Sequence, residues 1–95
     1  MGTAPKMTDD LRQIIDGVLA ELPDTEWAQL EVTSPADDDG LWFFWRPEGR
    51  FGDVQIESSS GTCPFLIETA FDDERRHGRT PGEVAACIVT LLRSG

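Results

Sequence analysis

The stretch Leu41 to Glu68, LWFFWRPEGRFGDVQIESSSGTCPFLIE, carries two of the three tryptophans and four of the five phenylalanines of this 95-residue chain. Three runs within it, Leu41 to Arg46, Asp53 to Glu57 and Cys63 to Thr69, are rich in aromatic and branched residues. The segments between them, PEGRFG and SSSGT, are made of turn formers, so the pattern predicts a three-stranded antiparallel meander. The first run is apolar on both faces, with Leu41, Phe43 and Trp45 on one and Trp42 and Phe44 on the other. That makes it a central strand, or one whose outer face is covered or used. In the second run Val54 and Ile56 alternate with Asp53, Gln55 and Glu57, so only one face can meet a core. In the third, Phe65 and Ile67 oppose Leu66 and Glu68, and Pro64 removes a ladder donor near the start.

Upstream, Glu26 to Thr33 reads EWAQLEVT, in which Ala28, Leu30 and Val32 alternate with Trp27, Gln29, Glu31 and Thr33. This predicts another half-buried strand. The segment SPADDDG then leads into the aromatic strand, with Gly40 able to supply a positive φ. Its consecutive aspartates do not fit a calcium loop, because taking Gly40 as the required sixth-position glycine puts Pro35 at the first ligand position. A solvated acidic turn is the reading, and no metal site is expected.

Before these strands, Thr8 is a natural N-cap and Asp9 and Asp10 complement the dipole of a first helical turn. Leu11, Ile14, Ile15, Val18, Leu19 and Leu22 recur at three- and four-residue steps as one apolar stripe, and Pro23 ends the helix. After the strands, FDDERRHGR reads without period. Thr80, Pro81, Gly82 and Glu83 then form a capping box with proline at the first helical position, ahead of an apolar face of Val84, Ala85, Cys87, Ile88, Leu91 and Leu92. Two amphipathic helices need one apolar sheet face. The expected fold is therefore α+β, a two-layer sandwich of order α-β-β-β-β-α, with an antiparallel meander sheet and both helices on one face. Residues 1 to 7 are expected to form a disordered tail and residues 8 to 95 a single domain.

The chain has 18 acidic against 8 basic residues, a formal charge of -10 and a pI of about 4.2. Such a surface repels phosphate backbones and anionic lipid, and it steers basic proteins inward. No nucleic-acid or membrane partner is expected. The start, MGTAPKMTDD, has no apolar signal region, and no run approaches the ~20 apolar residues that span a bilayer, so a cytoplasmic protein is expected. Cys63 and Cys87, the only cysteines, read as small buried hydrophobes rather than a disulfide.

Motifs for catalysis are sparse. A single histidine, His77, is present, and no nucleophile elbow, zinc-binding pair or phosphate-binding glycine loop occurs. A Cys63 and His77 dyad is weighed against a Cys63 merely packed at a strand start, and a non-enzymatic protein without catalytic residues or cofactor is expected. Arg75, Arg76, His77 and Arg79 precede a helix N-terminus and form a candidate anion-binding cluster. The competing reading pairs these arginines with Asp72, Asp73 and Glu74.

The outer face of the sheet is more informative. If Leu30, Phe43, Val54, Ile56, Phe65 and Ile67 face the helices, Trp27, Trp42 and Phe44 stand outside among Glu31, Asp53, Gln55, Glu57 and Glu68. Aromatics anchor interfaces and acids select basic partners. The candidate partner-binding set is accordingly Trp27, Trp42, Phe44, Asp53, Glu57 and Glu68, with a homodimer or a covering loop as alternatives. On this assignment, Trp42→Ala should weaken binding and leave the fold intact.

The runs GDVQIESSSGTCPFLIE, Gly52 to Glu68, and DDERRHGRTPGEVAACIVTLL, Asp72 to Leu92, resemble small bacterial immunity proteins of polymorphic toxin systems over roughly the C-terminal half. That resemblance implies a small, often acidic, cytoplasmic protein that occludes a toxin's active site, with no shared catalytic residues to carry over. A second resemblance, to acidic secretion chaperones that bind effectors through a helix and sheet surface, rests on charge and on the order helix then strands. The chain is shorter than those chaperones and lacks their later strands. The functional expectation is a non-enzymatic interaction module binding a basic protein, a toxin if the first resemblance holds. The alternatives are a chaperone-like protein or a small ligand-binding or enzymatic domain using Cys63, His77 and the arginine cluster.

Overall fold

Thr8 caps the first helix as its sequence position predicts: its backbone is extended and its Oγ1 accepts from the Leu11 N–H at 3.1 Å. The helix, α1, runs Asp9–Glu21 and buries Leu11, Ile14, Ile15 and Val18. The Thr8 hydroxyl also donates to the Gly61 carbonyl, and the Asp10 carboxylate accepts from the Cys63 N–H at 2.9 Å. The first turn of α1 therefore ties down the loop ahead of the fourth strand. Thr8→Ala should cost about 1 kcal/mol through the lost cap, and a urea midpoint shifted down at unchanged slope would show it.

The computed structural model describes residues 8–30, 40–58 and 61–94. The strands are β1 (Glu26–Leu30), β2 (Gly40–Trp45), β3 (Val54–Ser58), β4 (Phe65–Thr69) and β5 (Arg76–Gly78), followed by α2 (Pro81–Ser94). All pairings are antiparallel and follow chain order, β1-β2-β3-β4-β5. The expected α+β meander is present, extended by a short fifth strand within the segment that shows no period in the sequence. Three residues are too few for periodicity to register. The N-terminal residues 1 to 7, the end of the first strand beyond Leu30 and the acidic turn with its calcium alternative lie outside the described residues.

One core holds the layers together. Into it project the α1 stripe, the α2 residues Val84, Ala85, Ile88, Val89, Leu91 and Leu92, and the sheet residues Trp42, Phe44, Val54, Ile56, Phe65 and Ile67. Helix α2 lies close over β3, β4 and β5. The helices themselves meet tightly: a Cβ on Gly17 would stand 2.9 Å from that of Ala85. The capping box of α2 takes a modified form, in which the Glu83 N–H donates to Thr80 Oγ1 at 3.1 Å and the Glu83 carboxylate accepts from the Arg79 N–H.

The facing of β2 corrects the sequence reading. Trp42 and Phe44 are 0% and 1% exposed. They lie opposite Ile56 and Val54 on the helix side of the sheet. Trp27, opposite Phe44, packs against the same core and is half-buried. Phe43 is on the outer side, not the inner one. The cause is the β2–β3 connection. Arg46, Pro47, Glu48 and Gly49 make one tight turn, closed by a bond from the Gly49 N–H to the Arg46 carbonyl at 2.8 Å. Arg50, Phe51, Gly52 and Asp53 make a second, closed from the Asp53 N–H to the Arg50 carbonyl at 3.2 Å, with Gly52 at φ 73°. Two such turns in series fix the register Phe44↔Val54. A connection one residue longer or shorter would have turned every β2 side chain over.

Candidate functional site: the outer face of the sheet

With Trp42, Phe44 and Trp27 assigned to the core side, the outer face is built from the alternate positions. From β1 to β4, one row runs Ala28, Phe43, Gln55, Glu68, and the next runs Leu41, Glu57, Leu66, ending on His77 of β5. Trp45 lies opposite Glu26 at the end of the first two strands. Directly opposed Cβ atoms in such a sheet are ~4.5–5.5 Å apart. The β1–β2 half of the face is consequently apolar and aromatic, and the β3–β4 half carries the carboxylates of Glu57 and Glu68.

Phe51, from the second tight turn, completes the aromatic half. It is 70% exposed. Its ring centroid lies 4.5 Å from that of Trp45 and 5.7 Å from that of Phe43, tilted by 47° and 37°. These three rings form one continuous cluster, with Phe51 exposed over the half-buried Phe43 and Trp45. Gly52 is what brings the turn down onto it: the position of a Gly52 Cβ is 3.3 Å from the Phe43 ring. Among the described residues no helix covers this side, since α1 and α2 lie on the opposite face with the core.

The expected partner-binding residues thus divide. Glu57 and Glu68 are on the outer face and half-buried. Glu68 lies 3.8 Å from Arg75, an arginine whose side chain is 73% exposed. Asp53 belongs to the turn, where its carboxylate accepts from the Arg50 N–H at 3.0 Å. Trp27, Trp42 and Phe44 are replaced on the outer face by Leu41, Phe43, Trp45 and Phe51. The signal that identifies this second set is the pair of turn signatures, proline at the second position of RPEG and glycine at the third of RFGD, whose combined length sets the parity of β2 against β3.

The arginine cluster is divided as well. Arg76, opposite Ile67 on the helix side, is held by Asp72 at 3.0 Å and Glu74 at 3.1 Å. The bond from the Arg76 guanidinium, with one from the Glu74 N–H, keeps the Asp72 carboxyl below the usual carboxylate range. Arg75 turns to Glu68. His77 and Arg79 alone share a groove, with Cys63 and Pro64. The Glu83 carboxylate sits on the Arg79 backbone N–H there, which places a negative charge at the N-terminus of α2 and opposes a bound anion.

Cys63 and His77 therefore do approach the same groove. The thiol is poorly suited to nucleophilic work: burial pushes its pKa up, and the nearby Asp10 carboxylate, which it hydrogen-bonds, pushes it further. Burial raises the Cys87 thiol too, against a smaller opposing effect of Arg76. Both cysteines are free thiols. Because the thiolate is the reactive form, native alkylation at pH 7.5 should be slower at both than in the urea-unfolded chain. Asp10→Ala should speed the reaction at Cys63 alone, and mass-spectrometric time courses would resolve the two sites. Among the described residues no group of three or more metal-ligating side chains comes together, and no helix is long and apolar enough to cross a membrane. No protein-family model, curated protein or solved structure matches the chain.

Proposed function

We propose that this protein is a non-enzymatic interaction module that binds a basic protein through the outer face of its sheet. The observation that carries this reading is the outer-face ring cluster, an exposed Phe51 packed on the half-buried Phe43 and Trp45, beside the carboxylates of Glu57 and Glu68. Aromatic anchors supply most of the energy of an interface when they enter pockets on a partner, and surrounding charge selects the partner and speeds encounter. With a formal charge of -10, the whole molecule favours a basic partner. The same charge disfavours two copies meeting face to face, which would set carboxylates against carboxylates. In its immunity-protein form, the proposal is of a cytoplasmic protein whose partner is a toxin with a basic active-site surface.

Affinity capture with the wild type, Trp45→Ala and the Glu57→Lys/Glu68→Lys double variant tests it. A basic protein retained by the wild type should bind at least about tenfold more weakly to either variant, in line with the loss of one interface anchor. Melting temperatures should stay within a few degrees, because the changed side chains lie outside the core. A partner held equally by all three proteins, or one that is itself acidic, would reject the proposal, and so would a dimer in sedimentation that both variants disrupt.

A further inference from the structure

We infer that the outer face selects arginine over lysine in its partner, an inference that rests on the binding reading proposed above. Phe51, 70% exposed, is tilted against the half-buried Phe43 and Trp45 rings, not stacked flat on them, and is the outermost ring of the cluster. Gln55 is the direct neighbour of Phe43, and Glu68 lies next along that row. Glu57, opposite Leu41, is one step diagonal from Phe43, a separation of ~7–8 Å that a long side chain can span. Among the described residues Glu57 has no ion-pair partner.

A guanidinium is planar and weakly hydrated, and it presents several donors in a fixed fork. It can lie on an aromatic ring and still donate in its own plane to a carboxylate. An ammonium is compact and strongly hydrated, so approaching a ring costs it more water and leaves no planar fork for the acid. A face whose aromatic half borders the unpaired carboxylate of Glu57 and the weakly paired one of Glu68 suits the first group better. The protein already shows half of the arrangement, with the Arg75 guanidinium at 3.8 Å from Glu68 across the same face. That contact is solvent-exposed and of little strength, so an incoming arginine displaces it at small cost.

Charge complementarity decides among occupants. A second copy would bring another -10 onto the face, and phosphate-bearing surfaces are repelled in the same way, which leaves a basic polypeptide segment.

The probes are two synthetic peptides of equal length and charge, repeats of Gly-Ser-Arg and of Gly-Ser-Lys, titrated calorimetrically at low ionic strength. The arginine peptide should bind roughly threefold tighter or more, the difference expected of an exposed cation–π contact. Phe43→Leu and Trp45→Leu, which keep an apolar side chain but remove a ring, should bring the two peptides to equal affinity. Glu57→Gln should weaken both. If the wild type binds both peptides equally and Glu57→Gln weakens both, the arginine preference is overturned while the basic-partner proposal stands. A preference that survives both ring substitutions also overturns it, since the rings are then not its source. If neither peptide binds, both readings fail.

Discussion

Trp42→Ala is expected to lose about 3–5 kcal/mol of folding stability, the usual cost of removing a large buried aromatic side chain. A domain of this length has roughly 5–14 kcal/mol in total, so the variant should be near its unfolding midpoint well below the wild-type temperature. Each kcal/mol corresponds to about 4–8 °C in a domain of this size. The side chain has no exposure. It meets Phe65 edge-on at 5.9 Å, and it lies against the loop that Thr8 holds, where the position of a Gly61 Cβ is 3.4 Å from the indole. Alanine would leave a cavity between the sheet and the start of α1, which the tied loop cannot easily fill. This reverses the expectation that Trp42→Ala would leave the fold intact.

A control separates packing from hydrogen bonding. The indole Nε1 finds no acceptor among the described residues, so Trp42→Phe removes volume but breaks no bond within them. It should cost much less than alanine. Urea unfolding of both variants decides the matter: equal losses for Phe and Ala would show that ring volume is not what the site requires.

The second large effect is expected at Gly78, where β5 passes beneath the first turn of α2. A Cβ there would lie 2.4 Å from Val84 Cγ2, 3.1 Å from the Val84 nitrogen and 3.2 Å from its Cα. A rotation of Val84 could relieve the first contact but not the other two, which are to backbone, so Gly78→Ala must push the helix away from the strand. Overpacking of this kind costs about 1–3 kcal/mol, and Gly78→Val should cost more than Gly78→Ala. Gly78→Ala combined with Val84→Ala distinguishes the mechanism. If the clash with the Val84 side chain dominates, the double variant loses less than the two single losses added. If the backbone contacts dominate, the losses add. Melting curves of the four proteins give the answer, and an unchanged melting temperature in Gly78→Ala would refute the close approach.

Much of the architecture was legible because it depends on local rules. The apolar steps from Leu11 to Val18 and from Val84 to Leu92 mark the helical faces, and Thr8 and Thr80 accept the backbone bonds their positions foretell. The alternation of Val54, Ile56, Phe65 and Ile67 puts each of them in the core, as read. The fifth strand was not legible, because Arg76 to Gly78 is charged and short and pairs only through β4. The fate of the arginines was hidden for a related reason. Their number suggests a cluster, but Arg75, just ahead of β5, meets Glu68, and Arg76, the first residue of β5, meets Asp72 and Glu74.

By itself, the sequence determined that the protein is an acidic two-layer α+β domain whose outer sheet face keeps aromatic residues among carboxylates. It could not determine which aromatics. In GLWFFW every residue after the glycine is apolar, so hydrophobic pattern is equally content with either facing, and side-chain size does not break the tie. Only the tertiary structure decided it, through two successive tight turns that set Phe44 against Val54 and so sent Trp42 inward and Phe43 and Trp45 outward. Strand side chains alternate with a period of two, and a connection's length therefore selects a face as surely as composition does.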